Sequence, residues 1–260
     1  MNVRTSIHTK AILTGILATA VAAAAWAAPR SETRGSFDRT LKVAEPASVD
    51  VRTGSGNIHV KQGDSSSVVI HAEIRSGHGD WGGDSNAEQR IREIEKNPPI
   101  EQDGNTVRIG HTHDSDLYRN ISISYEIRVP AQTRLDASTG SGDFTATGVQ
   151  LEISGHTGSG NIRVRGIKGA MRASTGSGDV EASGEQHGDW HLRTGSGNVT
   201  VELPKGAGFE LDAHSGSGSI QTDREIVVQG TLSHRDIHGR AGSGGPLLEL
   251  RTSSGSIYLR

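Results

Sequence analysis

The sharpest cluster of potential ligands in the chain is H-T-H-D-S-D, spanning residues 111–116. Imidazoles two residues apart on an extended segment share one side, and carboxylates follow them. That donor set suits a borderline or hard divalent cation. His111, His113, Asp114 and Asp116 are therefore the candidate metal ligands. The plainer reading is a solvated polar loop between two strands, and it is preferred, so no metal and no other cofactor is expected.

Two further sets could do chemistry on an outer face. Asp136, Glu152, Arg172, His191 and Asp212 read as one outward column. Strands lie about 4.8 Å apart, which would bring Asp136 and Glu152 to a spacing close to the carboxylate pair of a retaining glycosidase. Arg172 offers Glu152 a simple ion pair instead, and Arg163 beside Glu181 repeats that matching. A second column reads Ser138, His156, Ser174, Arg193 and His214. Serine next to histidine suggests acyl transfer, but neither an acid to orient the imidazole nor an oxyanion hole is evident. The G-S-G-N/D corners lack the nine-residue period of calcium-binding solenoids. They also lack the following helix that a dinucleotide loop requires. Trp81, in a Gly-rich loop, is the better candidate for an exposed aromatic contact, whereas Trp190 falls in an apolar column.

What positions these side chains is a recurring hexapeptide. T-G-S-G-N-I starts at Thr53 and Thr157, with T-G-S-G-D-F at Thr139, T-G-S-G-D-V at Thr175 and T-G-S-G-N-V at Thr194. S-G-S-G-S-I at Ser215 and T-S-S-G-S-I at Thr252 are weaker copies. Spacings of 18, 18, 19 and 21 residues run from Thr139 to Ser215, then 37 to Thr252, read as two more periods. A fixed period near 20 marks a stacked repeat. Apolar or small residues recur four and two before the first position, for example Leu135 and Ala137, and five and seven after it, for example Ile162 and Val164. Polar residues fill the gaps, so each period holds two short strands, each with one buried face.

A pair of five-residue strands cannot bury its apolar side alone, so neighbouring periods share one core. Six or seven rungs make a rod about 30 Å long. The turn glycines Gly54, Gly56, Gly140, Gly142, Gly158, Gly160, Gly176, Gly178, Gly195, Gly197, Gly216 and Gly218 supply positive φ at the corner. Gly148, Gly166 and Gly184 mark the opposite one. Stacked Thr and stacked Asn/Asp columns are expected to form hydrogen-bonded ladders along the rod.

The rest of the chain frames this rod. Arg4 and Lys10 precede an apolar run that ends at Ala25-Trp26-Ala27, so residues 1–27 read as a secretory signal peptide. No Cys follows to carry a lipid anchor, and no later stretch resembles a transmembrane segment. Residues 28–47 read as a polar lead-in and 48–260 as one solenoid domain. Within it, 61–130 form a strand-helix-strand insert capping the N-terminal end, and 131–260 form regular coils. The helix is expected from Ser85 or Asn86 to about Lys96, stopped by Pro98 and Pro99. The 35 glycines among 260 residues are about twice the usual share, and they sit at fixed intervals, which argues against disorder. With no Cys, disulfides, thiolate metal sites and a Cys nucleophile are excluded. A net charge of −3 offers no basic face for nucleic acid.

Y-E-I-R-V-P at residues 125–130, L-D-A-S-T-G-S-G-D at 135–143, G-R-A-G-S-G-G-P-L at 239–247 and L-E-L-R-T-S-S-G-S-I at 248–257 together resemble the bacterial adhesin-type domains. These are exported repeat domains catalogued without a function. The likeness covers roughly Val49 to Arg260. It implies a parallel β-helix-like fold and a surface or periplasmic role, and it carries over no catalytic residues.

The expectation is thus an all-β, single-stranded parallel β-solenoid with about 18–21 residues per coil. It is exported to the periplasm, cell surface or medium, is not an enzyme, and presents flat polar ladders to a glycan or envelope protein. Nucleic acid is not an expected partner. The competing classes are a carbohydrate-active enzyme on the same scaffold and an envelope scaffold or sensor accessory.

Overall fold

The structure is a computed structural model, and it describes residues 34–77, 86–111, 116–228 and 233–260. Residues 1–27, read above as a signal peptide, and Trp81, His113 and Asp114 lie outside the described residues. Every copy of the hexapeptide bends the chain from a strand of one sheet into a strand of another. The strands entering the bends are β2 (Ala47–Ser55), β8 (Thr133–Ser141), β10 (Ile153–Ser159), β12 (Met171–Ser177), β14 (Trp190–Ser196), β16 (Phe209–Ser217) and β20 (Leu247–Ser254). Those leaving are β3 (Ile58–Gln62), β9 (Phe144–Thr147), β11 (Ile162–Ile167), β13 (Val180–Gly184), β15 (Val199–Glu202), β17 (Ile220–Thr222) and β21 (Ile257–Leu259). All neighbours within each set pair in parallel, giving a leading and a trailing sheet around one apolar interior.

The alternation that defined the rungs is what buries them. Ile162, Val180 and Val199 are directly paired and fully buried, one continuous stripe of the core. Large and small residues interdigitate: a Cβ on Gly155 would strike the ring of Phe144. Trp190 is fully buried and donates its indole N–H to the Gly169 carbonyl, 2.9 Å away. The first residue of the hexapeptide also faces inward. Thr139, Thr157, Thr175, Thr194, Thr252 and Ser215 are all buried. They do not bond to one another as a Thr ladder would. Each hydroxyl instead donates to the carbonyl of the third turn residue of the neighbouring rung, as Thr175 does to Gly160 at 2.9 Å. That pairing satisfies the buried hydroxyl and locks one rung's register to the next.

The order of the rungs departs from their order in sequence. Thr252 was expected beyond Ser215, but β20 lies between β14 and β16, and β21 between β15 and β17. Residues 203–208 therefore skip one rung height, and the chain later returns to fill the gap. The outer side of β16 is taken by β19 (Asp236–Ala241), which runs antiparallel to it, with β18 (Ile226–Val228) antiparallel beyond. Because all rungs share the same columns, the period alone cannot tell these two orders apart.

At the other end, β6 (Thr106–Ile109) pairs in parallel with β2, and β5 (Ile100–Asp103) antiparallel with β6. On the trailing sheet, β7 (Ile121–Val129), β4 (Ser67–Ser76) and β1 (Arg34–Lys42) follow β3 in that order. Strand β1 occupies part of the stretch read as a lead-in. Its only apolar residues are Phe37 and Leu41, so alternation could not reveal it. Helix α1 (Ala87–Lys96) packs on β1 and β4 through Ile91 and Ile94, both buried. No helix among the described residues is long and apolar enough to cross a membrane.

Candidate functional site

Strand alternation forces every second residue of the leading sheet outward, and parallel register stacks these residues into columns. In spatial order, the column three before each bend reads Asp50, Asp136, Ser154, Arg172, His191, Glu249 and Asp212. The column one before reads Arg52, Ser138, His156, Ser174, Arg193, Arg251 and His214. Strand β19 extends them with His238 opposite Asp212 and Asp236 opposite His214.

This register corrects the carboxylate pair expected from sequence. Ser154, not Glu152, stands opposite Asp136. Glu152 precedes β10 and pairs with Arg134 at 3.2 Å and Arg172 at 3.5 Å, the ion pairing that was its plainer reading. Asp136's in-register carboxylate neighbour is Asp50. Partial burial and then the Asp50 charge raise the Asp136 pKa above the usual carboxylate value, against the opposing pull of Arg52 and His111.

The metal candidate divides. His111 Nε2 lies 3.0 Å from Asp50 Oδ1, on the leading sheet. Asp116 is exposed and pairs with Arg119 at 2.6 Å. Among the described residues, no group of three or more His, Asp or Glu side chains is arranged to hold a metal ion.

The serine-histidine column does come together. His156 Nδ1 lies 2.9 Å from Ser174 Oγ across two rungs. Among the described residues no carboxylate pairs with His156 to make it an oriented base. Around this pair the sheet forms a shallow open depression lined by His156, Arg172, Ser174, His191 and Arg193. Glu249 at its rim was missed in the column because its rung had been placed outside. Glu249 is bound by Arg251 at 2.7 Å and His191 at 2.6 Å, and these two hold its carboxyl below the usual glutamate range. Arg251 also reaches Asp212 at 2.7 Å, so it bridges two rungs.

The trailing sheet carries its own outward row, in which Arg163 pairs with Glu181 at 3.5 Å and His59 with Thr145 at 2.6 Å. Along the bends runs the expected Asn/Asp ladder. The backbone N–H of Asn161 donates to Asp143 Oδ1, that of Asp179 to Asn161 Oδ1, and that of Asn198 to Asp179 Oδ1. The two glycines of each bend act differently. The second adopts φ between +129° and +154°. The first does not share that region; from Gly140 onward, a Cβ on it would lie 2.5–2.6 Å from a carbonyl oxygen of the neighbouring rung.

A chain so built has relatives. Among curated proteins none matches it. The crystal structure of a candidate cell adhesion protein from Clostridium sporogenes superposes with a TM-score of 0.52 at 15% identity, covering 87% of this chain and 99% of that one. A candidate adhesin from Bacteroides fragilis aligns at 12% identity over 87% of this chain and 97% of its own, with a TM-score of 0.29. A candidate lipid-binding protein from Parabacteroides distasonis aligns at 13% identity over 86% and 96%, with a TM-score of 0.30. The family described as Toastrack DUF4097 matches residues 38–260, and the chain belongs to that family of repeat β-solenoid domains.

Proposed function

We propose that the protein is an exported, non-enzymatic solenoid that binds a glycan or envelope protein through its outward side-chain ladders. The observation carrying this reading is a contrast along the rungs. Interior and bend residues recur in type, whereas Asp136, Ser154, Arg172, His191 and Glu249 change chemistry at every step of one column. A flat face with distinct donors and acceptors at regular spacing suits recognition of an extended partner. The mature protein is placed in the periplasm, on the cell surface or outside the cell, with residues 1–27 as its export signal. Segment 61–130 serves as an end cover, supported by the burial of Ile91 and Ile94 of α1.

The test is binding of the purified protein to a glycan panel and to envelope fragments, with polysaccharide turnover followed in parallel. Saturable binding without turnover is expected, and neither Asp136→Ala nor Glu152→Ala abolishes it. Cleavage that either variant abolishes restores the carbohydrate-active enzyme and defeats the binding reading.

A further inference from the structure

We infer that the depression around Ser174 is a seat for an anionic group of an acidic polysaccharide, a carboxylate or sulfate. The inference deepens the binding reading and rests on it. Ser174 is the small residue among larger neighbours: His156 stands on one adjoining rung, Arg193 on the other, and Arg172 two residues back along the same strand. Donors thus surround one hydroxyl from three directions. His156 already touches that hydroxyl at 2.9 Å.

Both guanidiniums have capacity to spare. Arg193 lies 3.6 Å from Glu249 Oε1, but each oxygen of Glu249 is already held closely, by Arg251 at 2.7 Å and His191 at 2.6 Å. Arg172 reaches Glu152 only at 3.5 Å, and Glu152 also serves Arg134. The side chains of Arg172 and Arg193 are 69% and 67% exposed. Planar guanidinium forks suit carboxylate and sulfate oxygens. In a chain of net charge −3 this is a local cationic concentration, not a general one.

The surroundings decide the class of partner. Nucleic acid needs stacking platforms and a longer basic track, and the residues lining this depression include no Phe, Tyr or Trp. A membrane surface needs exposed apolar residues or a polybasic cluster beside the charge; here the lining has two arginines, two histidines, serines and Glu249, and its apolar Ala173 and Leu192 are buried. Hydroxyls and cations spaced rung by rung match a chain that itself alternates hydroxyls with charges.

The test is isothermal titration of the whole protein with heparin, polygalacturonate and neutral dextran, alongside poly-glutamate and vesicles containing anionic phosphatidylglycerol. Heparin or polygalacturonate is expected to bind and dextran not to bind. Arg172→Gln with Arg193→Gln should weaken binding by about tenfold or more, and Ser174→Ala by a smaller factor. The salt dependence should shrink in the double variant. Arg128→Gln with Arg165→Gln, on the trailing sheet, should leave binding unchanged and reports any effect of mere charge loss. Unaltered polysaccharide binding in the Arg172/Arg193 variant, equal affinity for poly-glutamate or vesicles, or no binding of either acidic polysaccharide overturns the site. Binding of a neutral glycan that the double variant retains overturns the site while leaving the broader reading intact; turnover of any polysaccharide defeats the broader reading itself.

Discussion

The bends and the outer face of the leading sheet follow opposite rules. At the bends, most rungs repeat the same glycines, the same hydroxyl and the same amide or carboxylate, because the hydroxyl bonds to a glycine carbonyl of the neighbouring rung and the amide or carboxylate to a backbone N–H there. A change there is felt by two rungs at once. On the face, side chains meet solvent, and pairs form opportunistically between whatever neighbours the register supplies. The difference teaches where selection for stacking ends and where room for recognition begins.

The largest effect should come from breaking the bend. Gly160 has φ +154°, and a Cβ there would run into the Gly142 carbonyl. Gly160→Ala should cost about 2–4 kcal/mol in urea unfolding. Gly54 is the internal control, since nothing lies within 4 Å of a Cβ at that position and its φ is not in the positive region. Gly54→Ala should stay within about 0.5 kcal/mol of the parent. Equal losses at the two positions would show that the bends are not held by contact between rungs.

Next comes the buried hydroxyl. Thr175→Val keeps the volume but removes the donor to the half-buried Gly160 carbonyl. The expected loss is about 1–2 kcal/mol. Thr175→Ser keeps the bond and should recover most of it in the same unfolding assay.

These two predictions also show how much was legible. Seven copies of one pattern made the interior columns plain, and Ile162, Val180 and Val199 stack as read. Thr175 was read as a ladder rung because sequence shows a polar residue and not the neighbouring carbonyl that draws it inward. The position of the Thr252 rung was illegible for a different reason: its columns fit beside Thr194 and Ser215 equally well, and only the return of β19 along β16 decides. On the face, Glu152 was placed in a column it misses by two residues, because nothing in its immediate sequence marks where β10 begins. Strand β1 gave no signal because an edge strand buries only Phe37 well.

The smallest effects sharpen the comparison within the face itself, whose two ends should respond oppositely to pH. Glu249 has a lowered pKa, first through Arg251 and then His191. A group lowered on folding stabilises above its unfolded value, about 4.3 for glutamate, and loses that contribution as pH falls through the folded value. Glu249→Gln should therefore cost about 1 kcal/mol at pH 7, and the gap should close in acid below about pH 4.3. Asp136 is raised, first by burial and then by Asp50. Its charged form is the less favourable one in the folded chain, so stability falls as pH rises from about 3.9 through its raised value. Asp136→Asn should accordingly stabilise at pH 7. The gain should be only about 0.3 kcal/mol, because solvent screens this exposed position, and it should vanish below about pH 3.9. Thermal unfolding of both variants from pH 3 to 8 reads the two signs directly. If Asp136→Asn destabilised at neutral pH, the Asp50–Asp136 contact would have to be an ordering interaction, and the face would obey the same rule as the bends.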